Sequence, residues 1–150
     1  MKVTIKNELT SEEETALLNL LEESFGCPMS SVAFLRSIVS VVWAEHDELG
    51  LCGAALIEEQ ANQNYLSKFA VTPMVRGDGV AKLMWGMLCD KHTSFFWRAR
   101  SGNPFSAWYM HRSDGCKQYA RWSVFWYGLA ADDIEDVVAY AQKRPMDFIS

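Results

Sequence analysis

Arg76-Gly77-Asp78-Gly79-Val80-Ala81 stands between an apolar extended run, Tyr65-Leu66-Ser67-Lys68-Phe69-Ala70-Val71, and the strongest helical pattern of the chain. In that pattern Val80, Leu83, Met84, Met87 and Leu88 recur at i, i+3, i+4, i+7 and i+8, which predicts a helix with one buried stripe. Glycines at 77 and 79 let the backbone turn tightly, so that N–H groups converge at the positive end of the helix, a ready seat for a phosphate. The same residues also suit an ordinary strand-to-helix turn. A P-loop is excluded, because no Lys-Ser/Thr pair follows the glycines, and the dinucleotide GxGxxG pattern is incomplete.

Working outward, Thr10 with Glu13, or Ser11 with Glu14, has capping-box spacing ahead of Leu17, Leu20, Leu21 and Phe25. Gly26 and Pro28 stop that helix. A second helix is expected from Ser31, with Val32, Leu35 and Val39 on one face. Residues 41–44 and 51–57 read as strands around Asp47-Glu48, 58–64 as a polar loop, and 65–71 as a strand ended by Pro73. Beyond the strong helix, residues 95–100 read as a strand, and Asn103-Pro104 opens a short helical turn carrying Trp108 and Tyr109. Residues 122–129 form a long aromatic strand. Asp132 is expected to cap a last helix with Ile134, Val137, Val138 and Ala141 inward, ending before Pro145. With no repeat or linker, residues 1–150 predict one mixed α/β (α+β) domain.

Composition narrows the function. The 150 residues are 49% apolar and 22% charged, enough to fold around a core, and a net charge of −5 argues against a general nucleic-acid binder. Cys27, Cys52, Cys89 and Cys116 form no CxxC, and no HExxH is present, so no metal site is expected. Residues 1–7 lack the apolar core of a signal peptide. The apolar run 32–44 is broken by Arg36 and too short to span a bilayer. The expectation is a soluble, cytoplasmic domain with no membrane or nucleic-acid partner.

Strand alternation places Phe96, Arg98 and Arg100 on one face, opposite Phe95, Trp97 and Ala99. Lys68 is expected to share a face with Leu66 and Ala70. Two forked guanidiniums and an ammonium suit carboxylate recognition. The charges alone suit a solvated face paired with the abundant Asp and Glu somewhat better. Tyr109 reads either as a proton donor or as a core aromatic, and Asn103 as a substrate contact or a cap ahead of Pro104. Glu58 and Glu59 are expected to be solvated, and His111 lies off the face of Tyr109, so no general base is assigned.

Arg76, Gly79 and Ala81 match Arg-x-x-Gly-x-Ala, and the loop resembles the acetyl-CoA pyrophosphate signature of the GNAT acetyltransferases. A narrower likeness rests on Tyr65 through Val71, Phe96-Trp97-Arg98-Ala99-Arg100, Asn103-Pro104, Trp108-Tyr109, Ser113-Asp114-Gly115 and residues 122–129. Along about residues 10–145 these resemble the C-terminal acetyltransferase domain of vertebrate-like N-acetylglutamate synthases, including bifunctional synthase/kinases. The resemblance implies the GNAT acyl-CoA N-acyltransferase fold, a central mixed, mostly antiparallel sheet flanked by helices. It implies acetyl-CoA as co-substrate without a metal, and transfer of acetyl to the α-amine of L-glutamate. Lys68, Arg98 and Arg100 match acceptor-contacting positions, Asn103 stays a candidate substrate contact or loop anchor beside them, and Tyr109 matches the tyrosine that protonates the leaving thiolate. Val71 matches the strand position whose backbone pairs with the pantetheine arm, and Arg76, Gly77, Gly79, Val80 and Ala81 match the pyrophosphate loop.

The resemblance further implies a cytoplasmic location, or the mitochondrial matrix in a eukaryote, and a homo-oligomer or association with an amino-acid-kinase domain. Two positions depart from it: Ser67 replaces a usual acid, and Phe105-Ser106-Ala107 replaces Ile-Asn-Pro. Two alternatives therefore stay open, a non-catalytic regulatory module of an acetylglutamate kinase and an acetyltransferase for another acidic amine.

Overall fold

The computed structural model describes residues 1–148. In chain order the elements are β1 (Lys2–Lys6), α1 (Ser11–Phe25), a 3-10 turn (Ala33–Ser37), β2 (Ile38–His46), β3 (Gly50–Gln60), β4 (Gln63–Val71) and a second 3-10 turn (Pro73–Val75). Then come α2 (Val80–Lys91), β5 (Phe95–Arg100), α3 (Ser106–Arg112), β6 (Gly115–Gln118), β7 (Trp122–Tyr127) and α4 (Ala131–Lys143). The strands form one sheet in the order β1-β2-β3-β4-β5-β7-β6. Every neighbouring pair is antiparallel except β4 and β5. That parallel pair needs a crossover, which α2 supplies.

Helices cover both faces. On one, Val80, Met84, Trp85 and Leu88 of α2 pack with Leu66, Phe95, Trp97 and Phe125, and Trp108 and Tyr109 of α3 join them. On the other, Leu17, Leu20 and Leu21 of α1 pack on Val41, Trp43 and Leu56, while Val137, Val138 and Ala141 of α4 pack on Tyr65, Phe96 and Val124. The capping box forms as the spacing predicts. The Glu13 N–H donates to Thr10 Oγ1 at 3.1 Å and the Thr10 N–H to Glu13 Oε1 at 2.9 Å, and Gly26 ends α1 in the left-handed conformation.

Several local expectations are overturned. The helix expected from Ser31 is only the 3-10 turn Ala33–Ser37, and Val39 lies in β2, where β-branched residues pair with β3. The polar loop at 58–64 is instead a tight hairpin, turning at Ala61 and Asn62 with φ of 52° and 58°. Glu58, Glu59 and Gln60 pair across it with Tyr65, Asn64 and Gln63. The stripe of α2 is rotated from the expected one, with Leu83 57% exposed and Trp85 only 7%. Asp132 does not cap α4; the N-cap is Ala130, and Asp132 sits in the first turn, where a carboxylate favours the helix dipole. The aromatic strand stops at Tyr127 because Gly128 turns with φ of 70°. Strands β1 and β6 were not expected.

A register shift between Leu56 and Ile57 of β3 marks a bulge in β4 at Ser67, since Leu56 pairs with Lys68 but Ile57 with Leu66. One extra residue reverses the alternation. Leu66 therefore packs on the α2 face, while Lys68 lies on the α1 face with Ala70, its ammonium 4.3 Å from the Phe34 ring. The expected grouping of Lys68 with Leu66 does not hold.

Candidate active site

Strands β4 and β5 pair only at Tyr65 opposite Phe96. Past that point a cavity of about 690 Å³ lies between them, walled by residues 65–69 of β4 and by 97–104 of β5 and its following turn. Tyr109 of α3 and Arg144, Met146 and Asp147 after α4 also line it.

The three cations singled out in the sequence all reach this cavity, and each already holds a partner from the segment ending α4. Lys68 Nζ donates to Asp147 Oδ2 at 2.6 Å. Arg98 Nη1 donates to the carbonyls of Ala141 and Arg144, both at 2.6 Å, and Nη2 to that of Pro145 at 3.2 Å. The Ala141 carbonyl is among the orphan carbonyls of the α4 C-terminus and the other two follow it, so the guanidinium caps α4 as well as lining the cavity. It also lies 3.8 Å from the Trp122 ring. Arg100, exposed at the rim, donates to Met146 Sδ at 3.0 Å.

Three charged residues were missed or misread: Glu58, Arg144 and Asp147. Glu58, expected to be solvated, is fully buried and receives a bidentate ion pair from Arg144 at 2.9 Å for each contact. Arg144 continues to Asp147 Oδ2 at 3.1 Å, giving a chain of alternating charge, Glu58–Arg144–Asp147–Lys68. Burial works against the Arg144 charge, but Glu58 outweighs it and raises the guanidinium above its usual range. Burial lowers Lys68, and Asp147 offsets this only in part. Burial would raise the Asp147 carboxyl, yet Lys68 and Arg144 together hold it below the usual carboxylate range. A stretch such as Arg144-Pro145-Met146-Asp147 carries no sequence signal for this; only the docking of α4 brings it to β4.

Tyr109 is mostly buried, its ring 5.8 Å from Trp97 and 5.6 Å from Phe125. Burial alone pushes its hydroxyl up to about 12. Asn103 Oδ1 accepts the Phe105 N–H at 2.7 Å, fixing the turn into α3. Among the described residues, Ser67 Oγ and Trp97 Nε1 are buried without a hydrogen-bond partner, and both residues line the cavity.

The glycine loop lies at the end of β4, outside the cavity wall. Gly77 and Gly79 have φ of 97° and 82°, and Gly79 is the N-cap of α2, where no side chain caps the helix. The first-turn N–H groups are thus presented by backbone alone, which fits a phosphate. Val80 is buried and Ala81 packs on the same core, anchoring the helix start. Arg76 donates from Nε to the Val71 carbonyl at 2.9 Å and from Nη2 to that of Ser24 at 3.4 Å, tying the loop to β4 and α1.

A sheet with helices on both faces, parted between β4 and β5 beside a glycine loop, is the architecture of the GNAT N-acetyltransferases. Solved structures agree: the ribosomal-protein-S18-alanine N-acetyltransferase of Escherichia coli superposes with a TM-score of 0.64 at 14% identity, covering 87% of this chain and 97% of that one. Escherichia coli ElaA does so with a TM-score of 0.66 at 14% identity, covering 84% and 98%. The chain belongs to the family of the NAT domain, the N-acetyltransferase of N-acetylglutamate synthase, whose family model it matches over residues 3–144.

Among relatives, the acetylglutamate kinase of Xanthomonas campestris pv. campestris is 34% identical over 140 residues, 85% of this chain and 31% of that protein. The mitochondrial N-acetylglutamate synthase of Mus musculus is 32% identical over 146 residues, 93% of this chain and 27% of that protein. The chain therefore spans about a third or less of the length of the relatives it matches. No helix among the described residues is long and apolar enough to cross a membrane.

Proposed function

We propose that residues 1–150 form a single N-acetyltransferase domain that moves the acetyl group of acetyl-CoA to the α-amine of L-glutamate. The observation that carries this is the convergence of Lys68, Arg98, Arg100 and Arg144 on one cavity whose wall also holds Tyr109. Cations at several points of the wall suit an acceptor with two carboxylates, and the buried setting of Lys68 and Arg144 strengthens charge-assisted hydrogen bonds there.

Acetyl-CoA supplies the thioester. The uncapped, glycine-led start of α2 would hold its pyrophosphate through Gly77, Gly79, Val80 and Ala81, and the backbone of Val71 would pair with the pantetheine arm. Arg76 serves that loop by fixing it to β4 rather than by facing the phosphates. In the cavity Lys68, Arg98 and Arg100 orient the acceptor's carboxylates, and Asn103 holds the turn that sets Tyr109. The acceptor ammonium first gives up a proton to solvent; attack by the neutral amine then forms the N–C bond and breaks the C–S bond, the Tyr109 hydroxyl gives its proton to the departing thiolate, and the proton shed by the acylated nitrogen restores the hydroxyl. A phenol held near 12 keeps that proton at neutral pH.

The relatives named N-acetylglutamate synthase support glutamate as acceptor, and those named acetylglutamate kinase support association with a kinase domain. The cytoplasm or the mitochondrial matrix is the proposed setting. Steady-state release of CoA thiol with glutamate, aspartate and glutamine tests the reading. Glutamate is expected to be turned over fastest. Faster release with aspartate would reassign the acceptor, and acetyl-CoA binding without any release would favour a regulatory module.

A further inference from the structure

An amino diacid brings an ammonium as well as two carboxylates, and a cavity built of cations alone would attract the carboxylates but repel the ammonium. Ser67, which also lines the cavity, is neutral. Among the described residues that line the cavity, one is a carboxylate: Asp147. Its Oδ2 is held twice, by Lys68 Nζ at 2.6 Å and by Arg144 Nη2 at 3.1 Å. Its Oδ1 takes no hydrogen bond from any described residue, and the side chain keeps 13% of its surface exposed.

We propose that Asp147 is an acceptor-binding residue whose Oδ1 receives the ammonium of the amino diacid. This inference rests on the acceptor reading above. Two cations lock the carboxylate in one orientation, so little ordering is left to do when the ligand arrives. The buried Glu58 in turn fixes Arg144, making Glu58 a positioning residue one step removed from the ligand. Lys68 and Arg144 hold the Asp147 carboxyl below its usual range, so it anchors the ammonium and does not remove the proton.

Titration calorimetry on the whole chain with CoA bound, comparing L-glutamate with glutarate, tests this. Glutarate keeps both carboxylates and lacks the amine. Asp147→Asn is expected to cut the lead of glutamate over glutarate by about tenfold, the scale of a hydrogen bond to a charged group; the ratio cancels whatever the freed Lys68 and Arg144 do to carboxylate binding, which both ligands share. An unchanged lead of glutamate over glutarate overturns the proposal. Tighter binding of both ligands by the same factor is that outcome too, and makes Asp147 a stand-in for a substrate carboxylate. Unaltered CoA affinity certifies the fold of the variant. Should Asp147→Asn not fold, Asp147→Glu takes its place: displacing the anion by one methylene must narrow the lead of glutamate over glutarate, and an unchanged lead is contrary. A parent chain that binds glutamate no better than glutarate removes the anchor alone, whereas one that binds neither removes the acceptor reading with it.

Discussion

Glu58 on β3 and Arg144 after α4 lie 86 residues apart in sequence and meet in a buried bidentate ion pair, with both contacts at 2.9 Å. The Glu58 side chain is 0% exposed and that of Arg144 8%. Removing one partner leaves a buried charge uncompensated, at a cost of about 3–5 kcal/mol. Glu58→Ala or Arg144→Ala is therefore expected to unfold at a much lower denaturant concentration. A double replacement by apolar residues of similar volume should recover most of the loss. Equal stability of the single variants and the parent in urea unfolding would contradict the buried pair.

Arg98 and Arg100 separate two roles. Arg98 holds three backbone carbonyls at the end of α4, whereas Arg100 touches one sulfur at the surface. Arg98→Ala should weaken acceptor binding and also lower stability, by about 1.5–3 kcal/mol on the scale of a charged hydrogen bond. Arg100→Ala should raise the acceptor KM with the melting temperature unchanged. Paired KM and thermal-unfolding measurements on both variants check this.

Gly79 combines a φ of 82° with open space around a would-be Cβ. Substitution acts there through backbone strain, not collision. Gly79→Val is expected to lose about 1–2 kcal/mol of stability and to bind acetyl-CoA more weakly, whereas Gly79→Asn, which tolerates the left-handed region, should lose less. Calorimetric CoA titration with the two variants gives the comparison.

Tyr109→Phe should lower kcat by 10²-fold or more, the usual scale of general acid catalysis, and leave the acceptor KM nearly unchanged. Burial raises this phenol to about 12, so its proton is retained until the pH approaches that value. The parent enzyme's kcat is therefore expected not to fall between pH 8 and pH 10. A decline through pH 10 that disappears in Tyr109→Phe would show an unshifted phenol and contradict the buried setting.

The strand–loop–helix core of the fold was legible because its signals are local. Two glycines precede an apolar pattern of helical period, and Arg98 and Arg100 share a face of β5 by simple alternation. Where a signal depends on tertiary partners the reading failed. Glu58 sits in a polar run that reads as loop, yet it is buried because Arg144 arrives from the far end of the chain to neutralise it. Lys68 changed face relative to Leu66 because a bulge adds one residue, which alternation cannot register. Residues 38–39 are apolar enough for helix or strand, and pairing of Ile38 and Ser40, on either side of Val39, with β3 decided between them. Trp85 displaced Leu83 from the buried side of α2 because it meets Phe69, Phe95, Trp97 and Trp108. Of the candidate site, the residue types could be read, but not the segment 144–147 that holds them.

The central claim is that the cavity between β4 and β5 seats an amino diacid beside the thioester. A crystal structure with CoA and N-acetylglutamate bound tests it most directly. The expected result places the two carboxylates within hydrogen-bonding distance of Lys68, Arg98 or Arg100, and the CoA sulfur next to the Tyr109 hydroxyl. N-acetylglutamate seated elsewhere, with these cations still held only by residues 141–147, would contradict it.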